Sequence, residues 1–129
     1  MLASMIYYCK FTKILTSIEF EINLYDMCVS NKVIDMSQMT ICFHMDEYKL
    51  SHSERKANDC MIKCIFQEYE SIFENGSGKM SVIRGKVCEY LGMILYYNVR
   101  VQVRITMLSY IDEILTTFNK SDTKGKGTN

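Results

Sequence analysis

The stretch QMTICFHMDEYKLSH, residues 38–52, decides the fold class. Apolar and polar side chains alternate from Met39 to Met45, which is the two-residue period of a strand with one buried face. The acidic pair Asp46-Glu47 interrupts this alternation, and residues 48–50 have the composition of a return strand. The pattern therefore predicts a tight β-hairpin that carries two adjacent carboxylates at its tip.

Sequence patterns on both sides of this hairpin predict helices. Apolar residues at helical spacing predict an amphipathic helix over about the first 19 residues. The pair Ser51 and Glu54 has the spacing of a capping box, so a second helix is expected to follow it and to end near Asn75-Gly76. A last short helix is expected from Leu108 to Phe118. The apolar faces of the first two helices are expected to be formed by Tyr7, Phe11, Ile14 and Ile18, and by Met61, Ile65, Tyr69 and Ile72.

Further strands are predicted from short apolar or alternating runs. They cover residues 28–33, 79–83, 89–97 (interrupted by Gly92) and 101–107. Helices interleaved with mostly hairpin-joined strands predict the α+β class, with antiparallel strands and about three helices. We expect one domain over residues 1–118 and a flexible polar tail over residues 119–129.

Composition narrows the classes of function. The chain has 129 residues, 48% of them hydrophobic, and a formal net charge of zero. Any affinity for nucleic acid must therefore come from a local basic patch. No apolar run approaches the roughly 20 residues that span a membrane. The apolar start at residues 1–9 lacks a basic leader and a cleavage pattern, so we expect an intracellular protein, cytoplasmic or nuclear, and not a secreted one.

The chain has six cysteines. Without a secretory signal they are interpreted as reduced thiols that act as small buried apolar groups. A secreted carrier protein with disulfides is the alternative, and free-thiol titration separates the two interpretations. Cys60 and Cys64 lie one helical turn apart, but no second pair completes a zinc site.

Asp46-Glu47 is the pair with the clearest chemical logic. Magnesium prefers oxygen ligands and takes only one or two from the protein, while waters and substrate phosphates complete its shell. Two such ions can activate an attacking hydroxyl and stabilise a leaving oxygen. The alternative is that the pair is simply a solvated turn, since turns favour acidic residues.

The order of these segments resembles the palm of copia-type retrotransposon reverse transcriptases. The run YDMCVSNK at residues 25–32 is similar to the family's Asp-Pro-Cys-Val segment. Residues 38–52 are similar to its strand that ends in Asp-Asp before Leu-Lys and a helix. The run RGKVCEYLGM at residues 84–93 resembles the primer-grip hairpin, and MLSYIDEIL at 107–115 the helix after it. The resemblance extends over about residues 6–118.

The resemblance implies a partial polymerase palm. The parent enzyme would be an RNA-directed DNA polymerase that uses magnesium and an RNA/DNA primer-template. Asp46 and Glu47 would match its catalytic, metal-binding pair. The residues that would help to hold the primer terminus are Tyr90, Leu91, Gly92 and Met93. For Leu91 and Met93, core packing is an equally good interpretation.

Departures from the family pattern predict that the chain does not polymerise DNA by itself. Glu47 replaces an aspartate, and near-ideal magnesium geometry tolerates the extra methylene poorly. The third carboxylate and the nucleotide-positioning segment of the family are expected upstream of residue 1. Leu24 and Met27 stand where proline is common, Cys64 where tryptophan is common, and Cys88 where histidine is common.

Two other properties follow from these patterns. The chain could be a non-catalytic nucleic-acid- or protein-binding module derived from a retroelement, with a basic face formed by Lys79, Arg84, Lys86, Arg100 and Arg104. Scattered basic residues that merely solvate strands are the alternative interpretation. A partial palm also exposes a sheet edge, which predicts self-association through that edge.

Overall fold

The computed structural model describes residues 2–72, 80–98, 100 and 102–124. Within these residues the elements are, in chain order, α1 (Leu2–Ser17), β1 (Glu21–Ile22), β2 (Val29–Ile34), β3 (Ser37–His44), β4 (Glu47–Ser51), α2 (Arg55–Ile72), β5 (Val87–Tyr90), β6 (Met93–Tyr96), β7 (Arg104–Thr106) and α3 (Leu108–Lys124). All strand pairs are antiparallel, in one four-stranded and one three-stranded sheet. The predicted α+β class is confirmed.

The chain divides into two compact units, Met1–Ser81 and Val82–Asn129, where the sequence predicted one domain over residues 1–118. The first unit contains a meander with the strand order β1-β2-β3-β4 between two helices. The predicted hairpin is present, because β3 and β4 pair with Ile41 opposite Leu50 and His44 opposite Glu47.

The core of the first unit lies between the two helices and one face of the sheet. Alternate residues of β3 are fully buried, as the two-residue period predicted. The predicted apolar faces of α1 and α2 contribute Phe11, Ile14, Met61 and Ile65 to this core, whereas Leu15, Phe20 and Ala57 are buried without having been predicted. Tyr7, Ile18 and Tyr69 are half-buried, and the side chain of Ile72 lies outside the described residues. The buried cluster consists of Phe11, Ile14, Leu15, Phe20, Met39, Ile41, Phe43, Ala57, Met61 and Ile65.

Helix α1 ends in a Schellman motif that the sequence did not reveal. Glu19 has a positive φ of 66°, and the Phe20 amide donates to the Leu15 carbonyl over 2.9 Å. Lys32 lies on β2, and its ammonium group donates to the Ile18 carbonyl over 2.7 Å and pairs with Glu19 over 3.2 Å. A cation at the carboxyl end of a helix is favoured by the helix dipole.

Helix α2 does not begin with the predicted capping box. Ser51 belongs to β4, and the helix begins at Arg55. His52 connects the start of α2 to the end of β2. Its Nδ1 accepts from the Glu54 amide over 3.0 Å, and its Nε2 lies 3.0 Å from the Ile34 carbonyl. Since Nδ1 accepts, Nε2 is the nitrogen that donates. The predicted end at Asn75-Gly76 lies outside the described residues.

A cluster of tyrosines connects the two helices to β4. The Tyr7 hydroxyl is hydrogen-bonded to that of Tyr48 and donates to that of Tyr69 over 3.4 Å. The Tyr48 ring packs on Phe11, with 4.3 Å between centroids. Burial, with a smaller contribution from Tyr69, raises the pKa of the Tyr48 hydroxyl well above its ordinary value. Tyr48 therefore stays protonated throughout the physiological range.

The second unit contains the strand order β5-β6-β7 followed by α3. The prediction of a strand at residues 79–83 is wrong for the described residues 80–83, which form no strand. The segment 89–97 is a hairpin, because β5 and β6 flank a two-residue turn at Leu91-Gly92. Helix α3 continues to Lys124, past residue 119, where the tail was expected to start.

Candidate functional site

The carboxylates of Asp46 and Glu47 occupy different positions at the tip of the β3–β4 hairpin. Asp46 is the second residue of the two-residue turn, after Met45, whose φ is 52°. Glu47 is the first residue of β4 and pairs with His44. Both acidic side chains are exposed.

Strand alternation directs Glu47 away from the hydrophobic core. The neighbouring cross-strand pair, Phe43 and Tyr48, packs into the core, so His44 and Glu47 lie on the outer face of the sheet. The tip therefore presents Asp46 at the end of the hairpin and Glu47 on its outer face. The hydrogen-bonded strands behind them fix the backbone from which both carboxylates extend.

Magnesium fits this pair incompletely. Two adjacent exposed carboxylates suit one ion that keeps most of its water shell. The described residues bring no group of three His, Cys, Asp or Glu side chains together, so a more complete protein shell for the ion is not formed within them. Because the two carboxylates are exposed to water, their attraction for a cation is also screened.

A small cleft adjoins the tip, and the sequence gave no signal of it. It has a volume of about 170 Å³ and is lined by Ser4, Tyr7, Tyr8, Cys28, Phe43, His44 and Met45. Ligand pockets usually measure about 300–1,000 Å³, so this cleft suits a few waters or one small group. Helix α1 supplies part of the lining, and its docking could not be read from the local pattern of residues 38–52.

Two ionisable groups of this cleft, the Tyr8 hydroxyl and the Cys28 thiol, have raised pKa values. Burial, and then the Cys28 and Cys9 thiols, raise the pKa of the Tyr8 hydroxyl, which donates to the Met27 carbonyl over 3.3 Å. Burial, and then the Asp26 carboxylate, raise the pKa of the Cys28 thiol. A nucleophilic cysteine needs a lowered pKa, so Cys28 does not have the character of a catalytic thiolate.

The predicted primer-grip residues lie around the β5–β6 turn. Tyr90 and Met93 close the turn as a cross-strand pair and are half-buried, and Leu91 is exposed. Gly92 has a φ of 72°, and a Cβ there would lie 3.2 Å from the Tyr110 ring. The absence of a Cβ at Gly92 therefore leaves room for a side chain of α3. Whether the turn also contacts a primer stays a prediction.

The proposed basic face is exposed on the second unit. Arg84, Lys86, Arg100 and Arg104 are all exposed, and Lys79 lies outside the described residues. The Arg104 guanidinium lies over the Tyr96 ring, 4.5 Å from its centroid. A cation stacked on an aromatic face is a combination that binds the bases and phosphates of single-stranded nucleic acid.

The cysteines are free, but they are not the buried apolar groups that we expected. Cys9 and Cys60 are exposed, and the other four are half-buried. Cys64 packs at the edge of the core, while Cys42 faces outward on β3 beside Lys49. Burial is the main cause that raises the pKa of the Cys42 thiol. Cys60 and Cys64 belong to no metal-binding group among the residues described.

Comparisons with known proteins leave the geometry as the main source of functional inference. No protein-family model, no curated protein and no solved structure matches the chain. In the part of the chain that the structure describes, no helix is both long and apolar enough to cross a bilayer.

Proposed function

We propose that the chain is a fragment of a copia-type reverse transcriptase palm, and that it does not polymerise DNA by itself. The observation that carries this proposal is the position of Asp46, in a two-residue turn between hydrogen-bonded strands. Helix α2 follows this hairpin, as a helix follows the Asp-Asp segment in the family pattern.

The same geometry accounts for the absence of activity that we propose. Metal-dependent phosphoryl transfer is mainly positioning and charge stabilisation, so it needs several ligands held rigidly around the reacting groups. Asp46 and Glu47 are exposed, and Glu47 leaves the tip on the outer face of the sheet. The magnesium ion of the parent enzyme would be held here only weakly, mostly through its own waters.

The proposal is tested by measuring manganese affinity from the signal of the free ion in electron paramagnetic resonance. We expect weak binding to the wild type, which Asp46→Asn abolishes. Glu47→Asp should bind manganese several-fold more tightly, since it removes the methylene that disturbs the ligand geometry. Asp35→Asn is the matched control, because Asp35 also lies in a two-residue turn of this sheet.

Three results, two from manganese binding and one from a primer-extension assay, contradict the proposal. Equal binding by wild type and Asp46→Asn would make the tip an ordinary solvated turn. Template-dependent primer extension by the wild-type chain would contradict the proposed lack of polymerisation. An Asp35→Asn effect as large as that of Asp46→Asn would show that manganese binds hairpin carboxylates without selection.

We propose as a second function that the Val82–Asn129 unit binds single-stranded nucleic acid. This proposal rests on the Arg104–Tyr96 stack and on local charge, since this unit contains seven Lys and Arg against four Asp and Glu. Electrostatic binding of this kind weakens steeply with salt.

Fluorescence anisotropy with a labelled oligonucleotide tests this second function. Arg104→Gln and Tyr96→Ala should each weaken binding, by about tenfold for the lost stacking contact. Lys13→Gln is the control, because Lys13 is exposed on α1 of the first unit. Oligonucleotide affinity that changes neither with salt concentration nor with Arg104→Gln would contradict the proposal.

A further inference from the structure

Helix α3 presents an exposed apolar face. Every residue from 108 to 120 is exposed, including the large apolar ones. Leu108 is 70% exposed and Phe118 is 64% exposed. The apolar side chains of this face are Leu108, Ile111, Ile114, Leu115 and Phe118. They share one side of the helix, since they recur at spacings of three and four residues.

The central stripe of this face is self-complementary. It consists of Leu108, Ile111, Leu115 and Phe118, whose successive spacings are three, four and three residues. This is the a/d spacing of helices that pack side by side. The order of spacings is the same in both directions along the helix. Two antiparallel copies therefore place Leu108 of each copy opposite Phe118 of the other. They likewise place Ile111 of each copy opposite Leu115 of the other.

We propose that two copies of this chain pair through the apolar faces of α3 in antiparallel orientation. A two-fold pair uses the same patch on both copies, which the symmetric spacing of the stripe provides. The exposed side chains of this face would remove roughly 1,000 Å² from water over the two copies, which is below the range of about 1,200–2,000 Å² for a stable specific interface. The dimer is therefore weak, with a micromolar or weaker dissociation constant.

The flanks of the stripe give this dimer a distinctive charge dependence. Ile114 lies on one flank and extends the apolar contact to Ile114 of the other copy. Asp112 lies on the other flank, so the antiparallel arrangement brings the two Asp112 carboxylates toward each other. Like charges oppose association, so removing this charge strengthens the dimer. Glu113 and Lys120 lie on the far side of the helix and do not take part.

Sedimentation equilibrium of the full chain over a range of concentrations tests the proposal. Leu115→Glu should raise the dissociation constant by at least about tenfold, because it buries a charge at the centre of the interface. Thr116→Glu is the matched control, since it adds the same side chain to the polar side of the same helix and should leave the constant within about twofold. Asp112→Asn should lower the constant.

The orientation is tested separately. Mixed samples of isotope-labelled and unlabelled chain should give intermolecular nuclear Overhauser effects between Leu108 methyl groups and the Phe118 ring. Leu108-to-Leu108 contacts alone would overturn the antiparallel arrangement. A wild-type monomer at every concentration, oligomers that grow without limit, or an equal effect of Leu115→Glu and Thr116→Glu would overturn the dimer. The inference does not rest on the Asp46 tip, and Asp46→Asn leaves the dimer unchanged.

Discussion

At the scale of single residues, several turns of this chain use side chains where glycine would be easier. Asp35, Met36, Met45 and Leu91 all have positive φ values. A left-handed conformation costs about 1–2 kcal/mol for a residue with a Cβ. These positions could not be recognised from the sequence, because the usual Asn-Gly and Asp-Gly signals of hairpin turns are missing from them.

Replacing Met36 with glycine should stabilise the protein. Met36 has a φ of 65° and is 98% exposed, so glycine removes strain without removing contacts. We expect Met36→Gly to raise the free energy of unfolding by about 1 kcal/mol, after allowance for the greater freedom of glycine in the unfolded chain. Denaturant unfolding measures it. Met27→Gly, at an exposed methionine without positive φ, should instead destabilise the protein.

Tyr48 should make stability depend on alkaline pH. Burial raises its pKa in the folded protein, whereas the unfolded chain has the ordinary value of about 10. The unfolded state therefore loses this proton first, and the stabilisation present below pH 10 is lost as the pH rises further. Tyr48→Phe should flatten the fall in unfolding free energy above pH 10. A fall as steep as in wild type would contradict the assignment, and Tyr25→Phe, at a fully exposed tyrosine, serves as the control.

At the scale of elements, periodicity predicted the helices and the β3–β4 hairpin because burial imposes it. Met39, Ile41 and Phe43 alternate since one face of β3 covers the core. The same reasoning was wrong at residues 80–83, where an apolar run has no strand partner among the described residues. Periodicity also predicted one interrupted strand over residues 89–97 where the structure has the two strands β5 and β6. The turn between them was missed because Leu91, which precedes Gly92, is not a typical turn residue.

The start of α2 shows how a tertiary contact overrides a local signal. The pair Ser51 and Glu54 has capping-box spacing, but Ser51 is held in the sheet opposite Thr40. His52 instead accepts from the amide of Glu54, the residue before the helix, and is itself held by the Ile34 carbonyl. No local pattern could reveal a histidine in this role, since it depends on the β2–β3 turn.

His52→Ala should therefore destabilise the first unit. The change removes one acceptor at the start of α2 and one donor to the Ile34 carbonyl, and each such bond is worth about 1 kcal/mol. Thermal unfolding followed by circular dichroism measures the loss. His44→Ala is the matched control, because His44 is an exposed histidine at the carboxyl end of β3. Its effect on the free energy of unfolding should stay within about 0.5 kcal/mol. Equal losses for the two variants would contradict this role of His52.

At the scale of the whole molecule, the zero net charge conceals an uneven distribution. The Met1–Ser81 unit carries eight Lys and Arg against eleven Asp and Glu, whereas the Val82–Asn129 unit carries seven against four. The metal proposal concerns the acidic unit and the nucleic-acid proposal the basic one. Composition alone could not separate them, because both units have a similar apolar content.

The candidate site was predictable in part. Asp46 and Glu47 were identified from the end of an alternating run, and the structure places both at the tip of that hairpin. The different positions of the two carboxylates depend on cross-strand register, and the neighbouring cleft depends on the docking of α1. These long-range relations leave no local trace in the sequence.

The amide nuclear magnetic resonance spectrum of the purified chain, recorded with increasing manganese, tests whether the Asp46-Glu47 tip binds a metal ion. We predict dispersed peaks and selective broadening of the amides from Met45 to Tyr48, which Asp46→Asn removes. Broadening spread equally over the exposed acidic residues, including Asp35 at the other hairpin turn, would contradict the claim that the Asp46-Glu47 tip is a metal platform.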